Sequence, residues 1–396
     1  MLSLDKVFNA QTVLKSIIRE TKLVRAHGIA RDCELYLKPE NLQITGSFKV
    51  RGSAYRIAKL TEEEKKRGVV ACSAGNHAQG VALAATKNGI KSLICLPDSA
   101  PISKVEATKA FGADICLVEG CYDDASQKAL ELKESEGYTF IHPFDDEDVI
   151  AGQGTIALEI LSDIDNIDAI VVPVGGGGLI SGIAYTVKQI RPSVKVYGIQ
   201  VAGAPSMYNS VKNCKIGCLS SVSTIADGIA VKKPGENTYA IVKKYVDEIA
   251  LVSDDEVSSA ILALIENQKM IAEGAGATAV AAVMFDKFNL KGKRVVAVVS
   301  GGNIDVTSLS RVIDRGLLKS GRSSSLLIEL IDKPGQLKII SSIIADCGAN
   351  VTGVHYEKGN TESVNGCFLR IGMETRDFEH VNMITQSLRS EGFKIV

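Results

Sequence analysis

A lysine between small residues is the first candidate for chemistry in this sequence. Lys49 lies in the stretch 44–52 (ITGSFKVRG), directly ahead of an apolar helical pattern. Glycines allow other atoms to approach the backbone closely. A lysine enclosed in such a stretch loses solvent, which lowers its pKa and makes its amine a nucleophile toward an aldehyde. The stretch therefore predicts a Schiff-base site, and the alternative is an exposed lysine in a turn that contains glycine.

Three further loops carry residue types that suit ligand binding. Residues 73–80 (SAGNHAQG) lie between a predicted strand and a predicted helix, where backbone N–H groups favour an anion such as a carboxylate. Residues 175–178 (GGGG) hold the same kind of position and suit a phosphate. Residues 300–303 (SGGN) end another predicted strand, where open α/β sheets bind ligands. A structural turn explains one such loop, but four loops at strand ends indicate a ligand site.

The tetraglycine differs from the common nucleotide-binding motifs. A Walker loop requires Gly-Lys-Ser/Thr after its glycines, and the tetraglycine is not followed by this motif. Ser181 occupies the third glycine position of the dinucleotide fingerprint. The next predicted strand ends in Gln200, where a ribose-binding acid would be expected.

The elements that must position these loops alternate between strand and helix, which predicts βαβ units and parallel sheets. The predicted elements are helices 9–20, 54–59, 79–88, 103–110 and 122–136, and strands 34–38, 69–71, 92–96, 114–118, 169–174, 194–200 and 294–299. The run 169–174, rich in Val and Ile, is typical of a parallel strand that is buried on both faces. Two parallel-sheet modules are predicted, with the ligand site in the cleft between them.

The C-terminal part predicts a separate module. Residues 316–325 (GLLKSGRSSS) are short, polar and rich in Ser and Gly, which predicts a linker. The elements predicted beyond it are strand 326–331, helix 337–347, strands 350–357 and 366–373, helix 378–390 and strand 393–396. This βαββαβ order is that of a ferredoxin-like domain. The predicted domains are 1–320, with a smaller subdomain of about 45–148 inserted in it, and 325–396.

The composition is that of a globular chain. Of the 396 residues 45% are hydrophobic and 23% are charged, and the formal net charge is −1, so there is no electrostatic reason to expect nucleic acid or an anionic membrane as a partner. The nine cysteines include no Cys-x-x-Cys pair, and a cytoplasmic protein with reduced thiols is expected. The charged N-terminus is unlike a secretory signal, and the longest uncharged run, 169–187, contains Pro173, so no membrane span is expected.

The four loops together resemble the motifs of one enzyme family. The motifs at 47–52, 73–80, 175–179 and 300–303 occur in the order seen in threonine dehydratases, which are pyridoxal-phosphate enzymes of fold type II, the tryptophan-synthase-β type. The resemblance covers roughly residues 1–316. It implies a three-layer α/β/α catalytic domain with pyridoxal 5'-phosphate as its cofactor, in a homodimer or homotetramer.

The resemblance also implies a role for each motif. Lys49 would hold the cofactor as a Schiff base and later move the Cα proton. The other cofactor-binding residues would be Phe48 beside the ring, Asn76 at the phenolic oxygen, Gly175, Gly176, Gly177, Gly178 and Leu179 at the phosphate, and Ser300 at the pyridine nitrogen. The substrate carboxylate would be held by Ser73, Ala74, Gly75, Asn76 and His77. His77 alone also fits a structural role at a helix start, and Glu273 is expected to lie near the cofactor.

These residue types favour elimination of a β-hydroxyl group. A serine at the pyridine nitrogen cannot donate a full proton, so the ring is a milder electron sink, which suits elimination better than transamination. The expected reaction is dehydration and deamination of L-threonine to 2-oxobutanoate and ammonia, with L-serine as a secondary substrate. The alternatives are an L-serine or 3-hydroxyaspartate dehydratase and, in a different class, a non-catalytic amino-acid sensor.

Two positions separate this sequence from the serine racemases of the same fold. Ala74 stands where those enzymes carry a second serine as a base on the other face of Cα, so racemisation is disfavoured. Gln200 and Ser206 stand at the positions that match their acidic cation ligands. No metal site is therefore expected.

The C-terminal module resembles an ACT domain, a regulatory module that binds amino acids. The resemblance depends on the strand-to-helix loop 332–337 (DKPGQL). The residues that would form the effector site are Asp332, Pro334, Gly335, Gln336 and Leu337. The expected effector is isoleucine or valine if the enzyme serves isoleucine biosynthesis, and AMP if it is catabolic. The alternative is a module that only packs or dimerises.

Overall fold

The computed structural model describes residues 2–357 and 366–396. The chain divides into two compact units, Met1–Val306 and Thr307–Val396. The boundary between them lies ahead of residue 320, where the sequence predicts the end of the first domain. No helix within the described residues combines the length and the apolar character needed to span a bilayer.

The first unit alternates between helices and strands along the chain. Its helices are α1 (Leu4–Leu14), α2 (Lys49–Ala58), α3 (Glu62–Arg67), α4 (Asn76–Lys87), α5 (Ile102–Ala110), α6 (Tyr122–Glu136), α7 (Glu147–Asp163), α8 (Gly178–Ile190), α9 (Ser206–Lys212), α10 (Glu236–Tyr245), α11 (Asp254–Ala263) and α12 (Gly274–Met284). Its strands are β1 (Val24–Arg25), β2 (Glu34–Pro39), β3 (Val69–Cys72), β4 (Ser92–Pro97), β5 (Asp114–Val118), β6 (Thr139–Phe140), β7 (Ala169–Pro173), β8 (Lys195–Val201), β9 (Glu248–Val252) and β10 (Arg294–Val299). This alternation confirms the predicted α/β class.

The strands of the first unit form two sheets. The larger sheet has the order β1-β2-β10-β7-β8-β9 and is parallel except for the pairing of β1 with β2. The smaller sheet has the order β5-β4-β3-β6 and is parallel throughout. All of β7 is buried, as its run of branched apolar residues predicts. The smaller sheet is built from residues 69–140, within the inserted segment of about 45–148 that the sequence predicts.

Helices cover both faces of each sheet. In the smaller sheet, Val69 and Ala71 of β3 pack with apolar side chains of α2 and α4. Val70 and Cys72 point to the opposite face and pack with α6. In the larger sheet, α8 packs on one face through Ile180 and other apolar residues, and α12 packs against β7 and β10. Both modules are therefore three-layer α/β/α structures.

Several helix boundaries differ from the predicted ones. Helix α1 begins at Leu4 because the Ser3 hydroxyl caps it, accepting the Lys6 N–H at 3.2 Å. Helices α2 and α4 begin at Lys49 and Asn76, so each site motif supplies the first turn of a helix. Helix α7 has no counterpart in the prediction. Almost all of it is buried, so it lacks the periodic polar face by which a surface helix is recognised.

The second unit has the predicted βαββαβ order. Helix α13 (Val306–Lys319) leads into it, and the elements that follow are β11 (Ser323–Ile331), α14 (Gln336–Asp346), β12 (Asn350–Glu357), β13 (Gly366–Glu374), α15 (Phe378–Ser390) and β14 (Lys394–Ile395). The strands form an antiparallel sheet in the order β12-β13-β11-β14. Ile340 of α14 and Ile384 of α15 pack with Ile328, Leu369 and Ile371 of the sheet. This arrangement confirms the ferredoxin-like topology.

The predicted linker at 316–325 is wrong. Residues 316–319 form the last turn of α13, and Val312 and Gly316 of this helix are buried. Residues 323–325 pair with 372–374 of β13 in antiparallel register. The serines suggested a linker by composition, but a strand is held by backbone hydrogen bonds that polar side chains do not prevent.

Candidate active site

The four predicted loops meet at one cavity of the first unit, with a volume of about 750 Å³. The residues predicted to bind cofactor or substrate all line it: Phe48, Lys49, Ser73, Ala74, Gly75, Asn76, His77, Gly175, Gly176, Gly177, Gly178, Leu179 and Ser300. The loops that follow β3, β7 and β10 leave the carboxyl ends of parallel strands, and these ends share one edge of each sheet. The sheets thus bring together residues that are far apart in the sequence.

Lys49 is held at the first position of α2 by the end of β10. The Phe48 N–H donates to the Ser300 carbonyl at 3.1 Å, and Ser47 forms an antiparallel bridge with Gly301. The Lys49 Nζ donates to the Pro143 carbonyl at 2.8 Å. Burial lowers the pKa of Lys49 to about 8, although the charge of Glu273 acts to raise it. The lowered pKa enlarges the neutral, nucleophilic fraction of this amine near neutral pH.

The tetraglycine joins β7 to α8 and forms a cradle for an anion. Gly177 has a φ of +99°, which glycine adopts without strain. A Cβ on Gly176 would lie 2.5 Å from the Phe144 ring, so a larger residue does not fit there. The Ser181 N–H donates to the Gly177 carbonyl at 2.9 Å, and the N–H groups ahead of it precede the first hydrogen-bonded turn of the helix. This set of donors fits a phosphate.

The loop after β3 presents the start of α4 to the same cavity. The Gly75 N–H donates to the Ser73 hydroxyl at 3.1 Å, and the Ser73 N–H donates to the Cys95 carbonyl at 3.3 Å. The helix begins at Asn76, so the N–H groups of its first turn have no acceptor within the helix. They fit a carboxylate, because the start of a helix carries a partial positive charge.

The imidazole of His77 is committed to structural contacts. Its Nε2 donates to the Ile141 carbonyl at 2.8 Å, and its Nδ1 lies 3.4 Å from the Ser53 hydroxyl. Burial, with the nearby charge of Lys49, lowers the pKa of His77 to about 3, so the ring is neutral. The backbone N–H of His77, and not its ring, is therefore the group that matches the predicted contact with the substrate carboxylate.

A chain of polar groups joins Asn303, Asn76 and Glu273. The Asn303 Nδ2 donates to the Asn76 Oδ1 at 2.7 Å, and the Asn76 Nδ2 donates to the Glu273 Oε1 at 2.6 Å. Asn303 therefore orients the amide of Asn76. Burial, together with the charge of Asp227, raises the pKa of Glu273 to about 7. Glu273 lies beside Asn76, a residue predicted to bind the cofactor, and its own place near the cofactor stays a prediction.

The cavity also contains residues to which the sequence analysis gave no role. Lys104 lines it and pairs with Asp227 at 2.7 Å. His142 and Phe144 line it as well, and the His142 Nδ1 accepts the Asp145 N–H at 2.8 Å. His142 and Phe144 follow strand β6, which has only two residues and is too short to show strand alternation in the sequence.

Of the two positions compared with a cation site, Gln200 makes other hydrogen bonds, and the Ser206 hydroxyl has no hydrogen-bond partner among the described residues. The Gln200 Nε2 donates to the Val174 carbonyl at 3.1 Å, and its Oε1 accepts the Tyr208 N–H at 2.7 Å. Within the described part of the chain, no three or more His, Cys, Asp or Glu side chains are grouped so as to hold a metal ion. The absence of a metal site stays a prediction.

The fold and the cavity define a class of enzyme. A lysine amine of lowered pKa, a glycine cradle at one helix start and open N–H groups at another are the groups that pyridoxal phosphate and an amino acid require. The family described as "Pyridoxal-phosphate dependent enzyme" matches residues 14–301. The chain belongs to this family.

Named relatives narrow the comparison. The chain is 47% identical to the L-threonine ammonia-lyase of Thermotoga maritima over 398 aligned positions, which cover 100% of this chain and 99% of the relative. It is 45% identical to a Staphylococcus aureus protein named "L-threonine dehydratase catabolic TdcB", over 80% of this chain and 93% of the relative.

Solved structures share the fold. The processed form of threonine deaminase isoform 2 from Solanum lycopersicum superposes with a TM-score of 0.74 at 38% identity, over 78% of this chain and 93% of that one. Maize serine racemase superposes with a TM-score of 0.74 at 34% identity, over 80% of this chain and 98% of that one. Similarity of fold therefore extends to lyases and racemases alike.

Proposed function

We propose that this enzyme converts L-threonine to 2-oxobutanoate and ammonia. The observation that carries the proposal is the meeting of the Lys49 amine, the 175–178 cradle and the start of α4 at one cavity. The L-threonine ammonia-lyase that matches the whole length of this chain supports threonine as the substrate. The match to a catabolic threonine dehydratase supports the same reaction.

Five groups of the cavity hold the cofactor and the substrate. Pyridoxal phosphate, when bound, supplies an aldehyde that reacts with amines and a ring that withdraws electrons from Cα. Among the residues that line the cavity, those that would contact the cofactor are Phe48 at the ring, Asn76 at the phenolic oxygen, Gly175, Gly176, Gly177, Gly178 and Leu179 at the phosphate, and Ser300 at the pyridine nitrogen. The N–H groups at the start of α4 bind the substrate carboxylate. These contacts orient Cα toward Lys49.

Lys49 performs both the anchoring and the proton transfer. Its amine would hold the aldehyde of the cofactor, and the same amine, when free, would accept the Cα proton of the substrate. A pKa of about 8 suits this task, because a general base is most effective when its pKa is near the working pH. Ala74 carries no group that could return a proton to the other face of Cα, which favours elimination over racemisation.

Loss of the β-hydroxyl, which leaves as water with one proton in balance with the proton taken from Cα, completes the elimination. The released unsaturated amine tautomerises and is hydrolysed in solution, giving one 2-oxo acid and one ammonia for each threonine consumed. L-Serine reacts in the same way as a secondary substrate. It lacks only one methyl group, and a missing methyl changes binding in an apolar pocket by about 1–3 kcal/mol.

A substrate panel tests the reaction. Holoenzyme is incubated with L-threonine, L-serine or 3-hydroxyaspartate, and 2-oxo acid and ammonia are measured together. The expected result is equal amounts of the two products, with the highest kcat/KM for L-threonine. A higher kcat/KM for serine or hydroxyaspartate would favour the alternative dehydratases, and no product from any of the three would favour a non-catalytic sensor.

We infer that the second unit is an ACT regulatory module, and that residues 1–320 and 325–396 act as catalytic and regulatory domains. The ferredoxin-like order of its elements supports this assignment. The proposed effector loop contains Asp332 and Pro334 between β11 and α14, and Gly335 has a φ of +94° immediately before Gln336 and Leu337 begin the helix. The effector is isoleucine or valine for a biosynthetic enzyme and AMP for a catabolic one.

Matched glycine variants test the effector loop. Gly335 and Gly392 both have positive φ and open space around a Cβ, and Gly392 lies outside the loop. Threonine turnover is measured with and without isoleucine, valine and AMP. Gly335→Ala is expected to weaken the response to one effector, and Gly392→Ala to preserve it. Equal responses in both variants would contradict the loop assignment. The cytoplasmic location and the homo-oligomeric state stay predictions.

A further inference from the structure

Arg51, on the core face of helix α2, belongs to a closed group of four charges with Lys38, Glu40 and Glu159. Arg51, Lys38 and Glu40 have fully buried side chains, and the side chain of Glu159 is 9% exposed. The two positive and two negative charges balance. Taking four charges out of water costs free energy that is recovered only when their geometry is nearly ideal and every donor has an acceptor.

Every N–H donor of the Arg51 side chain has an acceptor. Its Nε and Nη2 donate to the two carboxylate oxygens of Glu40, both at 2.8 Å. Its Nη1 and Nη2 donate to the two oxygens of Glu159, at 2.6 and 2.8 Å. The Nη1 also donates to the Thr155 hydroxyl at 3.2 Å. A guanidinium has five N–H donors in a rigid plane, and here each has an acceptor.

Lys38 and Thr21 complete the group. The Lys38 Nζ donates to the Glu159 Oε2 at 2.5 Å and also to the Thr21 carbonyl. The Thr21 hydroxyl donates to the Glu40 Oε1 at 2.5 Å. The charges therefore connect β2, α2 and α7 in one hydrogen-bonded network.

Close backbone contact reinforces the network where α2 crosses α7. A Cβ on Gly152 of α7 would lie 2.6 Å from the Arg51 carbonyl oxygen, and a Cβ on Gly52 of α2 would lie 2.7 Å from the Val149 carbonyl oxygen. The two helices thus touch through their backbones at the residues next to Arg51. A small rotation of α2 would break the double fork of Arg51 and create a clash at the same time.

Lys49 lies on the opposite side of this same helical turn. Two residues of an α-helix are separated by roughly 200° around its axis, so Arg51 points into the core while Lys49 points into the cavity. We propose that Arg51 is a positioning residue for Lys49. Its double fork to Glu40 and Glu159 sets the rotation and depth of the first turn of α2, and thereby holds the Lys49 amine at its place in the cavity. The inference rests on the proposed function of Lys49.

The test compares variants that alter the fork with one that alters another ion pair. Arg51→Lys keeps the charge but cannot form a planar fork. Thr155→Val removes one of the five acceptors and is the milder change. Lys188→Met is the control, because Lys188 pairs with Asp247 at 2.8 Å in a partly buried site outside α2. Each holoenzyme is measured for kcat and KM with L-threonine and for the pH midpoint of its visible absorbance.

Displacement of Lys49 predicts a specific pattern of results. Arg51→Lys should lower kcat by about 10- to 100-fold, since misplacement of a reacting group by roughly 1 Å has an effect of this size. KM should change by no more than about twofold, because substrate-binding groups lie on α4. The absorbance midpoint should shift in Arg51→Lys and, to a smaller extent, in Thr155→Val. Lys188→Met should match the wild-type enzyme in all three measurements.

Two outcomes overturn the inference. Wild-type kcat and absorbance midpoint in both network variants would mean that the network serves stability alone. Equal changes of kcat and absorbance midpoint in Lys188→Met and in the network variants would also mean that the network does not position Lys49. If Arg51→Lys does not fold, Thr155→Val decides. Failure of the proposed function is distinguishable, because the wild-type enzyme itself would then form no 2-oxo acid from L-threonine.

Discussion

The two faces of helix α2 carry two enclosed cations in opposite electrostatic surroundings. On the core face, burial acts to lower the pKa of Arg51, but the carboxylates of Glu40 and Glu159 raise it above its ordinary value. On the cavity face, Lys49 donates to a neutral carbonyl, and burial lowers its pKa to about 8. Arg51 is fully buried and Lys49 is partly buried against the cavity, and their pKa values shift in opposite directions.

The difference teaches how one helical turn separates stability from reactivity. A buried cation with carboxylate partners stays charged and serves as an anchor. A buried cation without a bound carboxylate is destabilised in its charged form and becomes a nucleophile. Charge partners on one face thus secure the helix that presents an unpaired amine on the other. The following changes break or sharpen this contrast, beginning with the largest expected effect.

Removal of the reactive amine should abolish the reaction. Lys49→Ala is expected to lower 2-oxo acid formation from L-threonine by at least about a thousandfold, because both the anchor and the base are lost. Lys59→Ala, at the other end of α2 and exposed, is the control and should keep the wild-type rate. A Lys49→Ala enzyme with wild-type turnover would refute the role of the amine.

Removal of the anchoring cation should act on stability. Arg51→Met leaves the Glu40 carboxylate buried without its cation, and this should lower the free energy of unfolding by about 3–5 kcal/mol. The double variant Glu40→Met and Arg51→Met removes both charges and should recover much of the loss. Urea unfolding measures both. A single variant as stable as the wild type would contradict the account of the core face.

Removal of Lys49 should have the opposite effect on the stability of the apoenzyme. Its folded pKa of about 8 lies below the ordinary value of 10.5, so the unfolded chain binds more protons between these pH values. The buried charge therefore destabilises the fold below pH 8, and the penalty fades as the pH rises toward 10.5. Lys49→Met should raise the free energy of unfolding at pH 7 by on the order of 1–3 kcal/mol. Urea unfolding at pH 7 and pH 10 should show this gap closing; a gap that widens would contradict it.

The smallest expected effect comes from Glu273, a carboxylate whose charge acts on Lys49. Glu273 raises the pKa of Lys49 against the effect of burial. Glu273→Gln should therefore lower the pH midpoint for uptake of pyridoxal phosphate by the apoenzyme, by less than about one pH unit. Glu248→Gln, an exposed position on β9, is the control. An upward shift in Glu273→Gln would show that its charge does not act on Lys49.

The cavity face was predictable from the sequence and the core face was not. Lys49, Asn76, the 175–178 loop and Ser300 belong to short motifs whose glycines and strand-end positions are visible locally. Arg51 contacts Glu40 and Glu159, and the latter lies 108 positions along the chain in a helix without an amphipathic pattern. Such pairing is a property of the folded core, and no local period reports it.

The other differences between the sequence-based predictions and the structure also come from contacts between distant parts of the chain. The prediction at 316–325 relied on composition, whereas backbone pairing with 372–374 and burial of Gly316 decide the structure there. The motif 73–80 lies at the cavity, where the sequence predicts a binding loop, but the contact of His77 with Ile141 becomes visible only in the fold. Motif chemistry is local, while burial and pairing depend on distant parts of the chain.

The central claim is that the Lys49 amine is the covalent anchor of the cofactor. Its most direct test is borohydride reduction of the wild-type holoenzyme, followed by proteolysis and mass spectrometry of the peptides. The account predicts one pyridoxyl-phosphate adduct per chain, located on Lys49. An adduct on another lysine, or reduced protein without any adduct, would contradict it.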